Sequence, residues 1–119
     1  MNEFEAYQNT AVMTQSRGHL IVMLYDGAIK FLKLAIREME AKDFEAKGKY
    51  LTRAQDIIFE LNAVLDMESG GEISENLRKL YMYMNSRIND ANIKTDPEIV
   101  KEVISLLSEL NQSWKAISE

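Results

Sequence analysis

The chain has 119 residues, 46% hydrophobic and 28% charged, with five Gly, one Pro and no Cys, which fits one domain built of long regular elements and excludes a disulfide framework, a thiolate metal site or a Cys nucleophile. A formal net charge of -5, with acids and bases interspersed, offers no basic stripe for phosphates, so nucleic acid is not an expected partner. The acidic start Met1-Asn2-Glu3-Phe4-Glu5 is unlike a signal peptide, and no apolar run approaches the ~20 residues of a membrane span, so a cytoplasmic location without membrane insertion is expected.

The first fifteen residues stand apart. Their short apolar series Phe4, Tyr7, Ala11 and Val12 predicts one or two helical turns that cap a larger body. A long helix then runs from about 16 to 41, with Ser16 as N-cap and Leu20, Leu24, Gly27, Phe31 and Leu34 on one face. It is apolar over far more than one stripe. Leu20-Ile21-Val22-Met23-Leu24-Tyr25 encircles the helix, and Ala28, Ile29, Leu32, Ala35 and Ile36 widen the apolar arc to on the order of 240°.

The second helix is predicted over 43–68, capped by Asp43 and carrying Leu51, Ala54, Ile58, Leu61 and Leu65 up to the break at Ser69-Gly70-Gly71. Gln55 and Asn62 on this helix either bond a partner's backbone or face solvent. The third, over 72–93, places Ile73, Leu77, Leu80, Met84, Ile88 and Ala91 on one stripe, while Met82 and Tyr83 fall outside it. Thr95-Asp96-Pro97-Glu98 restarts a fourth helix over 96–118, with Thr95 or Asp96 as cap and Pro97 in the first turn, where its missing N–H costs little. Its seam is Ile99, Val103, Leu106, Leu110, Trp114 and Ile117, with Val100, Ile104 and Leu107 beside it. Four helices of similar length with short connections predict an all-α, antiparallel up-down-up-down four-helix bundle with a short N-terminal helical cap, one domain over 1–119.

No enzyme chemistry is apparent. A di-iron bundle needs Glu-x-x-His pairs, but the lone His19 has Ser16 three residues before it. A phosphotransfer bundle needs an accessible mid-helix His, whereas His19 sits in a first turn and reads as a solvated residue. Gly70-Gly71 lacks the Lys-Ser/Thr of a phosphate loop. No catalytic residue, metal ligand or cofactor is expected. The surplus apolar surface has two readings. Each bundle helix touches two neighbours and can bury two faces, or part of the surface is a groove for another chain's amphipathic helix, to which seven Met and exposed Tyr are suited. Such faces can also support a homodimer.

The order and spacing of several motifs then resemble a known family. They are Ala6-Tyr7-Gln8, Leu20-Ile21-x-Met23-Leu24-Tyr25-Asp26-Gly27-Ala28, Ala54-Gln55-Asp56-Ile57-Ile58 and Leu65-Asp66, followed by Gly70-Gly71-Glu72-Ile73, Leu80-Tyr81-x-Tyr83-Met84, Arg87, Ala91-Asn92 and Trp114-Lys115. Together, over about Ala6 to Ile117, they resemble the flagellin-specific flagellar secretion chaperones. Two departures from that pattern are Arg17-Gly18 where Pro often follows the helix-opening Ser or Thr, and Met82 where an acidic residue is common.

The resemblance implies a non-enzymatic export chaperone. It would hold the disordered C-terminal segment of flagellin, prevent premature polymerisation and deliver it to a component of the flagellar export gate. It also implies that the N-terminal segment covers part of the bundle and moves on binding, which makes Tyr7 part of a displaceable lid. The candidate flagellin contacts are Tyr7, Ile21, Tyr25, Leu32, Met82 and Tyr83, with Gly27 and Ala28 allowing close helix approach and Trp114 read as core. A self-associating or phosphotransfer-type bundle is the alternative.

Overall fold

The structure is a computed structural model and describes residues 17–117. Four helices follow in order: α1 Arg17–Glu40, α2 Phe44–Ala63, α3 Gly71–Lys94 and α4 Pro97–Ile117. No strand occurs among the described residues. The expected cap over 1–15, with Tyr7, and the expected N-cap Ser16 lie outside them.

Local chemistry sets most of the boundaries. The Asp43 side chain accepts from the Ala46 N–H at 3.1 Å and opens α2, satisfying one of the donors that a helix start leaves free. Thr95, in the left-handed region at φ 50°, closes α3. Asp96 then accepts from the Glu98 N–H at 2.9 Å, with Pro97 as the first residue of α4. The one large departure is the end of α2, which stops at Ala63 instead of running to about 68. There the Asp66 carboxylate accepts from the Glu68 and Ser69 N–H groups and winds residues 66–69 into a turn of their own. Arg17 of α1 donates to the Val64 carbonyl at 2.7 Å, so the frayed end of α2 is tied to the start of α1.

Each helix packs on its sequence neighbours, and α4 closes the ring back onto α1, which with the short connections makes an antiparallel four-helix arrangement. The core is Tyr25, Ala28, Leu32 and Ala35 from α1, Leu51, Ala54, Ile58 and Leu61 from α2, Tyr81, Met84, Ile88 and Ala91 from α3, and Val100, Val103 and Leu107 from α4. Burial of that apolar area is the main stabilising term. Because α1 packs on both α2 and α4, two neighbours absorb most of its wide apolar arc. Ala28 is fully buried, and Gly27 faces Ile57 of α2 closely enough that a Cβ there would lie 3.2 Å from the Ile57 Cδ1. The α4 seam holds at Ile99 and Val103, which are buried, and shifts after them. Val100, Leu107 and Asn111 are buried beside it, Leu106, Leu110 and Trp114 are half-buried, and Ile117 is exposed.

The bundle has two unlike ends. One holds the 41–43 and 95–96 connections. There the buried Lys47 Nζ donates to the Asn92 carbonyl at 3.0 Å and to Thr95 Oγ1 at 3.2 Å, satisfying carbonyl and hydroxyl acceptors at the end of α3. The other end gathers the start of α1, the 64–70 connection, the start of α3 and the end of α4, and it is open.

Candidate binding surface

At the open end the helices diverge around a cavity of about 500 Å³. Ile21, Leu61, Leu65, Ile73, Leu77 and Trp114 give it a mostly apolar lining, and Tyr81 lies at its floor. Its rim depends on Gly70 of the 64–70 connection, which is followed by Gly71 at the start of α3. A Cβ on Gly70 would sit 2.5 Å from the Asp66 carbonyl oxygen, and Gly71 adopts φ +55°, where side chains are strained. Ser74, one turn into α3, donates to the same Asp66 carbonyl at 2.8 Å. The α3 stripe frays here: Ile73, expected in the core, is 72% exposed, and Leu77 is half-buried.

Beneath the cavity, Tyr25 of α1 and Tyr81 of α3 meet across the bundle, hydroxyl to hydroxyl at 2.5 Å with ring centroids 6.4 Å apart. Burial raises the pKa of Tyr25, with hydrogen bonding to Tyr81 and Trp114 pulling the other way. Burial and then the Tyr25 hydroxyl raise Tyr81 much further. Both phenols therefore stay neutral, and the pair satisfies polar groups that would otherwise be stranded in the core.

A second depression continues from this end along the α2–α3 surface. Its volume is about 330 Å³, and Tyr81 lines both it and the end cavity. Gln55 and Asn62 come from α2, and Asn85 and Asn89 from α3, with exposed Phe59 and Met82 at its edges. Exposed Met67 lies beside Met82 in an adjoining hollow. Exposed Phe59, Met67, Ile73 and Met82 thus lie around the open end and the α2–α3 surface, while exposed Phe44 and Ile93 lie at the closed end.

The sequence candidates separate into three groups. Tyr7 lies outside the described residues. Ile21, Tyr25 and Leu32, expected to face a partner, are core residues instead: Tyr25 and Leu32 are 0% exposed and Ile21 8%. Burial of two faces of α1 accounts for this, although Ile21 still reaches the cavity lining. Met82 is 62% exposed and borders the α2–α3 depression. Tyr83 is also exposed but turns toward α4, where its hydroxyl donates to Glu102. Arg87 joins that cluster by pairing with Glu102 at 3.2 Å and Asp90 at 3.1 Å. The bond from Tyr83, followed by those from Arg87, lowers the Glu102 pKa, while Glu102 raises that of Tyr83. The structure therefore does not bring Tyr83 and Met82 onto one surface. Trp114, read as core, is half-buried and also lines the cavity.

Ile73, Leu65 and Leu77 at the cavity, and Asn85 and Asn89 in the depression, were not among the expected contacts. Only the position of Ile73 beside the glycine break hinted at a role outside the core. His19 is exposed in the first turn of α1. Among the described residues no three His, Cys, Asp or Glu side chains converge as metal ligands, and no helix is long and apolar enough to cross a membrane.

The family profile described as "Flagellar protein FliS" matches residues 1–119. A Salmonella typhimurium protein named flagellar secretion chaperone FliS is 46% identical over 110 residues, covering 92% of this chain and 82% of the relative. Its Bacillus subtilis namesake is 39% identical over 114 residues, covering 96% and 84%. The Vibrio cholerae namesake is 36% identical over 117 residues, covering 95% and 86%. With the profile spanning the whole chain and such relatives matched over most of their length, this chain belongs to the FliS family, whose relatives named here are secretion chaperones and not enzymes.

Proposed function

We propose that this protein is a cytoplasmic export chaperone that holds the C-terminal segment of flagellin on the open end of its bundle, keeps it from polymerising early and hands it to the export gate. The observation that carries this reading is the mostly apolar cavity of about 500 Å³ at the open end, with exposed Ile73 on its rim, in a chain whose relatives are named flagellar secretion chaperones. A cavity of that size and lining accepts the apolar side chains of an amphipathic helix. Binding of a disordered segment needs apolar contacts that offset its ordering entropy, and no nucleotide is involved.

Isothermal titration of the purified chain with the C-terminal segment of its cognate flagellin tests this. A saturable one-to-one isotherm with a large negative heat-capacity change is expected, as for a disordered segment folding onto apolar surface. Ile73→Asp puts a charge on the exposed rim without disturbing the core and should weaken binding at least ten-fold. Absence of binding by the unmodified chain would sink the proposal.

A further inference from the structure

Over the whole chain acids and bases alternate, but one stretch of α1 breaks the pattern. From Gly27 to Arg37 there are three cations and no acid, in a protein of net charge -5. Lys30, Lys33 and Arg37 are all exposed and follow one another at helical spacing, so they form one outward stripe about 10 Å long. Together with half-buried Ile29 and Leu34 they line a shallow hollow on the outer side of the helix. Asp26, the acid that begins the stripe, is already engaged by α4: Asn111 donates to it at 2.6 Å and Lys115 lies 3.7 Å away. Arg37 pairs with its sequence neighbour Glu38 at 3.1 Å, and neither Lys30 nor Lys33 pairs with a carboxylate among the described residues. Beside the stripe, Arg53 of α2 lies over the Phe31 ring at 5.7 Å, and Phe31 in turn stacks on Tyr50. A fourth cation is therefore held at the α2 edge of this surface by packing instead of by an acid.

Like charges three and four residues apart on a helix repel, so the stripe costs the free protein stability. Elsewhere the same chain answers its cations with acids, Lys49 with Glu45, Lys101 with Glu98, and Arg87 with Asp90 and Glu102. Exposed cations left without such answers are complementary to an anionic partner, whose carboxylates would relieve the repulsion and add attraction. The kind of partner can be narrowed. A duplex nucleic acid is commonly held through roughly six to ten phosphate contacts, more than this stripe can make. A helix that lies on a membrane sets large apolar side chains into the lipid beside its cations, whereas Ile29 and Leu34 are half-buried in the bundle. A protein surface with two or three carboxylates within about 10 Å, as on one face of a helix, matches the stripe in length and charge.

Its position matters as much as its charge. Helix α1 packs on α2 and α4 and lies diagonally across from α3, so its outer stripe faces away from Met82 and the α2–α3 depression. The α1 residues that line the end cavity are Arg17, Gly18 and Ile21, two turns or more before Lys30. A partner seated on the stripe leaves the cavity to the cargo.

We infer that Lys30, Lys33 and Arg37, with Arg53 beside them, form a second docking surface, which binds an acidic protein surface of the receiving export gate while the end cavity still holds cargo. This rests on the chaperone reading above. Contacts between exposed charges speed encounter, weaken with salt and let go readily, which suits a hand-over.

The test titrates the full chain, loaded with the flagellin C-terminal segment, with the purified cytoplasmic part of the export gate component. Binding should weaken as salt is raised. Lys30→Gln with Lys33→Gln should bind about ten-fold more weakly and with a flatter salt dependence, and Lys30→Arg with Lys33→Arg should bind as the unmodified chain does. The control pair Lys42→Gln with Lys94→Gln removes the same charge from exposed positions at the closed end and should leave binding unchanged. Melting temperature of the Lys30 and Lys33 pair should hold or rise as repulsion is relieved, and its affinity for the flagellin segment should not change. Equal weakening by both Gln pairs would reduce the effect to net charge and overturn the docking surface. Full binding by the Lys30 and Lys33 pair, or no gate binding by a chain that does hold the segment, would also overturn it and leave the chaperone reading standing. Binding of the unmodified chain to vesicles of phosphatidylglycerol and phosphatidylcholine, lost in the same Gln pair, would assign the stripe to a lipid surface and overturn it too. If the unmodified chain does not bind the segment, the chaperone reading fails and the docking surface falls with it.

Discussion

The two ends of the bundle are built from the same four helices and behave as opposites. At one end the connections are short, Lys47 clamps the end of α3, and Asp43 and Asp96 each satisfy a helix start. At the other, α2 stops early, the chain turns on Asp66 and two glycines, and the core opens into an apolar cavity. Small, fully paired connections let side chains close over a core. A longer connection that spends its hydrogen bonds on its own turn leaves the core uncovered. The closed end is therefore assigned to stability and the open end to binding, and substitutions should separate the two.

The largest effect expected is at the core. Leu51, 1% exposed, lies in the half of α2 nearer the closed end, so Leu51→Ala should cost about 3 kcal/mol of unfolding free energy by urea denaturation. The folded fraction should keep its full affinity for the flagellin segment. A loss of affinity there would break the division of labour. Gly70→Ala should cost about 2 kcal/mol, because the new methyl meets the Asp66 carbonyl and the Ser74 side chain, and it should also weaken binding since that turn forms the cavity rim. Both effects are read from the same protein, by denaturation and by titration.

The tyrosine pair gives a pH signature. Tyr25 and Tyr81 have folded-state pKa values raised above the phenol value of about 10, so their contribution is complete below that pH and is lost as pH rises past it. The loss should grow with each further step in pH above the phenol value. The carboxylates act in the opposite direction. Asp66, lowered chiefly by the Ser69 backbone N–H, and Glu102, lowered chiefly by Tyr83, contribute above the ordinary carboxylate range near pH ~4 and lose that contribution as pH falls below it. Denaturation midpoints should thus be flat between about pH 5 and 9 and fall on both sides. The double substitution Tyr25→Phe with Tyr81→Phe should remove part of the alkaline fall and leave the acid limb unchanged.

Smaller still is Lys47→Met, which removes the closed-end clamp and should cost about 1 kcal/mol with no change in segment affinity. Gly27→Ala gains helix propensity but crowds Ile57, and the net effect should lie within about 0.5 kcal/mol of zero by thermal denaturation.

The closed end was the more legible of the two from sequence. Asp43 and Pro97 are local signals that appear at their expected positions, and of the two cap candidates Thr95 and Asp96 it is Asp96 that accepts from the Glu98 N–H, because caps need only neighbours in the chain. The open end was not legible in the same way. The spacing Leu51, Ile58, Leu61, Leu65 continues past Ala63, and nothing in that pattern reveals that Asp66 prefers its own turn or that Gly70 allows a close approach. Periodicity identified surplus apolar surface on α1 but could not say that two neighbouring helices would bury Tyr25 and Leu32. Met82 was legible because it falls outside the α3 stripe. Ile73 falls on that stripe but sits in the first turn of α3, where it borders the open cavity instead of the core. Asn85 and Asn89 carry no sequence signal, since an Asn in a helix reads as surface until the facing helix supplies Gln55 and Asn62.

Hydrogen exchange of the backbone amides, measured on the full chain with and without the flagellin C-terminal segment, compares the two ends directly. Added protection is expected in residues 17–25, 58–82 and 110–117, around the cavity and the α2–α3 depression, with residues 38–50 and 92–100 unchanged. Protection concentrated at the closed end, with the open end unaltered, would contradict it.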